Sequence, residues 1–146
     1  MKKIVFALIM CCALLKVSAA DLNWLTSVPQ AQAQAKTENK LVLMDFTGSD
    51  WCIWCKRLDN DTFSKQEFAD YAQKNLVLVQ LDYPNKKPQT PALKAANAAL
   101  AAKYQIEGYP TVIAMKPDGT VVWRIDGYLE GGPSAMIAKL EAAKKK

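Results

Sequence analysis

The 146-residue chain carries 19 basic and 14 acidic side chains, four cysteines and no histidine. At 51% hydrophobic and 23% charged its composition is ordinary for a globular protein, with room for one domain plus a targeting segment but not for two cores. The missing histidine excludes Ser-His-Asp and Cys-His hydrolases, His-ligated metal sites and an imidazole switch, so any chemistry must run on thiols, carboxylates, amines or backbone.

Met1-Lys2-Lys3, an uncharged apolar run over residues 4–15 and the small residues Ser18, Ala19 and Ala20 make the three parts of a secretory signal. As a helix that run spans about 18 Å, short of the ~30 Å hydrocarbon core of a bilayer. Residues 1–20 are therefore read as a cleaved signal peptide and 21–146 as the mature domain, periplasmic or secreted. An uncleaved membrane anchor is the alternative, while bulky Met10 speaks against a lipid anchor on Cys11. Cleavage removes Lys2, Lys3 and Lys16, leaving 16 basic against 14 acidic residues, a charge of +2. It also removes Cys11 and Cys12, so the exported protein keeps only Cys52 and Cys55, in a compartment where disulfides persist. Nothing in the remaining charge pattern calls for nucleic acid.

Residues 27–39 are rich in Ala, Gln and Lys and predict a helix, with Pro29 tolerated in its first turn. Residues 41–46 form a short, almost unbroken apolar run, the pattern of a strand buried on both faces. Thr47 to Asp50 break it and offer caps to a helix over 52–60. Ser64 and Glu67 have the spacing of a capping box opening a second helical stretch to 74. A further buried strand follows at 76–81, then a surface loop over 83–89 and an alanine-rich helix from Thr90-Pro91 to about 103. Strands at 111–115 and 120–125, joined by Pro117-Asp118-Gly119, are close enough to pair antiparallel. Gly132-Pro133-Ser134 start a last helix over 135–143. The order predicts one α/β domain, a mixed sheet covered by helices on both faces.

Cys52 and Cys55 stand three apart at the start of a helix, on one face, with Cβ atoms about 5–6 Å apart. A disulfide needs about 3.8 Å, so the bond forms and opens with little backbone change. Unpaired N–H groups at a helix start favour the thiolate of the first cysteine. Lowering a thiol pKa from about 8.5 to about 7 raises its ionised share at pH 7 from roughly 3% to about half. Cys52 is then the attacking thiolate, expected to be exposed, and Cys55 the resolving thiol. A local structural staple and a metal site, in the form of a two-thiolate copper(I) site, are the alternatives. The dithiol reading needs neither metal nor cofactor.

Trp51-Cys52-Ile53-Trp54-Cys55-Lys56, after a strand carrying Asp45-Phe46, resembles the W-C-x-x-C-K motif of thioredoxins, and Gly108-Tyr109-Pro110-Thr111 resembles their G-x-P-T loop. More narrowly, 46–52 resembles exported thioredoxin-like proteins related to the periplasmic reductant domains of transmembrane disulfide reductases. The resemblance implies a thioredoxin fold and a thiol-disulfide oxidoreductase. It makes Cys52 the nucleophile, Cys55 the resolving cysteine and Asp45 the buried carboxylate that takes the resolving thiol's proton. That carboxyl, between Met44 and Phe46, should have a raised pKa. Trp51 would shield the pair and present it to a partner chain. A cis Pro110 would leave the backbone of Tyr109 free to pair with an extended substrate.

Three departures stand out. Asp45 to Cys52 is seven residues where the family has six, the lysine that pairs with the buried Asp is replaced by Leu78, and Ile53-Trp54 lie between the cysteines. Trp54 is placed either to fill a partner's pocket or to pack on its own helix. Asp50 opposes a thiolate, Lys56 and Arg57 favour it, and no histidine assists. The expected outcome is a moderately lowered pKa and a reducing potential, hence a soluble, monomeric reductant of exported proteins' disulfides, recharged by a transmembrane thiol donor. An oxidant, an isomerase, a thiol reductant for cytochrome maturation and a non-catalytic binding or chaperone module are the other readings.

Overall fold

The computed structural model describes residues 22–145; the signal-peptide reading of residues 1–20 lies outside them. In chain order the elements are β1 (Trp24–Leu25), α1 (Val28–Glu38), β2 (Leu41–Thr47) and α2 (Ile53–Leu58). A π-helical turn (Asp59–Phe63) continues α2, followed by α3 (Gln66–Asn75), β3 (Leu76–Asp82) and α4 (Pro91–Lys103). The chain ends with β4 (Thr111–Met115), β5 (Val121–Asp126) and α5 (Gly132–Lys144).

The two apolar runs become the middle of a five-stranded sheet ordered β1-β3-β2-β4-β5. Strands β1, β3 and β2 are parallel, while β4 and β5 run antiparallel to their neighbours. Every residue of β2 is buried, as a strand flanked by two strands and covered on both faces must be. Its side chains alternate between two cores. Leu41 and Leu43 join Phe63, Phe68, Ala72, Met136 and Leu140 beneath the π turn, α3 and α5. Val42, Met44 and Phe46 join Ala31 and Ala35 of α1, with Leu100 and Tyr104 from the α4 side. The mixed, two-sided architecture expected from the element order is therefore present.

Four local expectations are corrected. Strand β1, absent from the sequence reading, exists because Trp24 and Leu25 pair with Leu78 and Val79 along the open edge of β3; two residues are too few to show a period. The cap of α2 is Cys52 itself, whose sulfur accepts the Cys55 N–H, rather than a side chain from 47–50. The capping box at Ser64 does not form. The helix widens instead, with Ser64 N–H donating to Asp59 O across a π turn, and α3 starts after Lys65 without a side-chain cap. Ser64 Oγ donates to Asn60 O, and Glu67 accepts from Ser134 Oγ of α5. Finally, the residue beside Asp45 on β3 is Gln80 and not Leu78, which pairs with Leu43.

The Thr90 cap of α4 forms as its sequence suggests, with Thr90 Oγ1 accepting from Leu93 N–H at 3.2 Å and Pro91 in the first turn. Thr90→Ala is expected to cost about 1 kcal/mol, read as a lower urea midpoint at unchanged slope.

Candidate active site

The carboxyl end of β2 delivers the chain into a tight turn. Trp51 N–H and Cys52 N–H both donate to Gly48 O, at 3.2 and 2.8 Å. Gly48 lies under the Trp51 indole, where a β-carbon would collide with the ring. The segment is then tied to the loop after β3. Ser49 N–H and Oγ donate to the two oxygens of Asp82, and Trp51 Nε1–H donates to Tyr83 O at 2.8 Å. The Asp50 carboxylate accepts from the N–H groups of Asn85, Lys86 and Lys87, the first of which contributes most to holding its pKa down at about 2. Its charge is thus committed to that loop.

Cys52 and Cys55 are joined by a disulfide with Cα atoms 5.3 Å apart. Cys55 N–H donates to Cys52 Sγ at 3.2 Å. The cations expected to favour the thiolate are engaged elsewhere. Lys56 Nζ donates to Asp50 O, and Arg57 pairs with Asp61. Contrary to the sequence expectation, Cys52 is not exposed: both cysteines are 5% accessible. Turning inward to cap α2 and bond Cys55 goes with burial of the cysteine, while its neighbours Trp51, Ile53 and Trp54 are 45%, 74% and 50% exposed.

Phe46 pairs with Thr111, so the antiparallel register sets the segment before β4 beside the end of β2. There the Tyr109–Pro110 bond is cis. Pro110 O accepts from Gly127 N–H at 2.7 Å, while Thr111 Oγ1 donates to Gly108 O. The Tyr109 ring meets Trp51 edge-on at 5.7 Å and lies 5.1 Å from Tyr83. Trp54 is placed on the other flank, 5.7 Å from the Tyr128 ring, with Arg57 over both rings.

Asp45 is 5% exposed, and its Oδ1 has no hydrogen-bond partner. Burial raises its pKa to about 8, helped by the charges of Asp59 and Asp82. Asp59, one turn beyond Cys55, has its own carboxyl pushed up by desolvation. Sequence reasoning missed Asp59, although the i, i+4 spacing from Cys55 was a usable signal. It also missed Tyr128, which reaches the site only through tertiary folding. Among the described residues no group of three or more His, Cys, Asp or Glu is placed to hold a metal, and no helix is long and apolar enough to cross a membrane.

Residues 28–144 match the family model described as a thioredoxin-like domain. The disulfide bond reductase DsbH of Chlamydia pneumoniae is 32% identical over 129 residues, covering 88% of this chain and 76% of that protein. A solved DsbH oxidoreductase superposes with a TM-score of 0.78 at 30% identity, covering 85% of each chain. The thiol:disulfide interchange protein DsbD of Vibrio cholerae is 31% identical over 112 residues, covering 75% of this chain but only 17% of that longer protein.

Proposed function

The chain belongs to the thioredoxin-like family, and from that premise we propose that its Cys52–Cys55 pair reduces disulfides of exported proteins through a mixed disulfide on Cys52. It is a thiol-disulfide oxidoreductase, as its relatives are; direction, substrate and compartment are the proposed part. The observation that carries the direction is the modest help given to Cys52. Its sulfur accepts one backbone N–H, while Lys56 and Arg57 are engaged elsewhere. A thiolate stabilised by a single neutral donor has a mildly lowered pKa and a reducing couple.

In the reaction, the Cys52 thiolate attacks one sulfur of a substrate disulfide. A Cys52–substrate bond forms, and the second substrate sulfur leaves as a thiolate. Cys55 then gives its proton to Asp45 and attacks Cys52 Sγ, forming the disulfide found in the structure and releasing the first substrate sulfur. The raised pKa of Asp45 suits this sequence, because in the disulfide state a proton on that carboxyl is the end point of the transfer. Re-reduction by a membrane dithiol carrier would return both electrons, and the proton would go back to Cys55. Trp51 and Trp54 would flank the incoming chain. Tyr109, whose backbone makes no hydrogen bond among the described residues, would pair with it beside Pro110. Export rests on residues 1–20.

Equilibrating the pair against glutathione tests the direction. A potential near about −270 mV is expected, and one near about −120 mV would make the protein an oxidant.

A further inference from the structure

The two flanks of the dithiol differ. On the Trp51 side the indole is closed down against Tyr83 and Tyr109, and Lys87 Nζ is bound to Ser49 Oγ. On the Trp54 side there is an open depression of about 410 Å³, lined by Trp54, Tyr109, Pro110, Gly127, Tyr128 and Glu130. That volume lies within the range of small-ligand clefts, about 300–1,000 Å³. Glu130 is its one formally charged lining residue, and the carboxylate makes no hydrogen bond or ion pair among the described residues.

The walls already hold a cation. The Arg57 guanidinium lies 4.9 Å from the Tyr128 ring centre and 5.4 Å from that of Trp54. Asp61 neutralises it, accepting from Arg57 Nε at 3.3 Å and from Tyr128 OH at 2.7 Å. Arg57 and Asp61 therefore cancel, and they brace the two rings. What the depression offers a visitor is three aromatic rings and one unpaired negative charge.

We propose that this depression is a subsite for a lysine or arginine side chain next to the substrate cysteine, with Glu130 as its counter-ion. The inference rests on the proposed function, in that Cys52 must be the sulfur that bonds the substrate. Trp54 is two residues from Cys52 and borders the depression, so a residue one or two places from the bonded substrate cysteine can reach it at about 3.3 Å per extended residue. Glutamate at the same place would meet the like charge of Glu130.

The test uses the reduced Cys55→Ser protein and two symmetric peptide disulfides, alike except for Lys or Glu on both sides of the cysteine. Cys52 thiolate attacks one peptide sulfur, a Cys52–peptide bond forms, and the other peptide leaves as a thiolate that takes up a solvent proton. Adducts are counted by intact mass in low salt and normalised to the reaction of each peptide with 2-mercaptoethanol. The Lys adduct is expected to exceed the Glu adduct about five- to tenfold, because Glu130 attracts the one side chain and repels the other. Added Glu130→Gln should bring the ratio near one while leaving the reaction with uncharged bis(2-hydroxyethyl) disulfide unchanged. Equal adducts with Glu130 present, or a preference that survives Glu130→Gln, would overturn the subsite. No adduct from either peptide would overturn Cys52 as the attacking sulfur, and the subsite with it.

Discussion

Cys52→Ser is expected to reduce insulin no faster than background, a loss of at least about 10³-fold, because a hydroxyl cannot replace the thiolate as nucleophile or carry electrons. Cys55→Ser should fail differently. Its first step proceeds and its second cannot, so covalent partner adducts accumulate on Cys52 and disappear with dithiothreitol. Non-reducing gels of the two variants expressed in the native host separate the outcomes. Activity surviving in Cys52→Ser, or adducts forming on Cys55 instead, would exchange the roles of the two sulfurs. The geometry favours the assignment given, since the Cys55 N–H points at Cys52 Sγ and stabilises charge on that sulfur alone.

The second large effect is on stability. Asp45 has its pKa raised from 3.8 to about 8 by burial first and by Asp59 and Asp82 next. For an acid whose folded pKa lies above its unfolded value, the native state binds more protons between the two, so stability falls as pH rises through that window. The loss begins near pH 4 and is complete above about pH 8. At 1.36 kcal/mol per unit it amounts to about 4 kcal/mol at pH 7. Asp45→Asn, which cannot ionise, should therefore match the parent near pH 4 and exceed it by about 4 kcal/mol at pH 7, in urea melts with the Cys52–Cys55 bond intact. A constant difference across pH would mean that Asp45 is not the group losing its proton. The same substitution should slow turnover if Asp45 accepts the proton of Cys55, so added stability and lost activity would appear together.

The strands at the centre of the fold were legible because each is a short apolar run with no helical period, as 41–46 and 76–81 show, and the Thr90-Pro91 start of α4 carries its own cap. The dithiol was legible for a different reason: with histidine absent and two cysteines three apart, few other chemistries remain. What escaped is what depends on neighbours. Strand β1 is defined by the edge it pairs with. The Ser64 box failed because the helix widened before reaching it. The partner of Asp45 was misplaced by two residues, Leu78 for Gln80, since register is settled by the whole sheet and not by one strand. Cys52 as a cap was invisible because a sulfur is not among the usual capping groups.

As the proposed reductant, the pair would be discharged uselessly by any peroxide or low-molecular-weight disulfide that reached its sulfur. Because both cysteines are buried while their neighbours Trp51, Ile53 and Trp54 are exposed, such leakage becomes a matter of access. A small reagent that reaches a sulfur so little exposed has little binding energy to keep it there. A polypeptide that lies along the rim gains contact area while it feeds one sulfur downward. On the proposed reading the tryptophans would act as a sieve, trading speed with everything for selectivity toward chains.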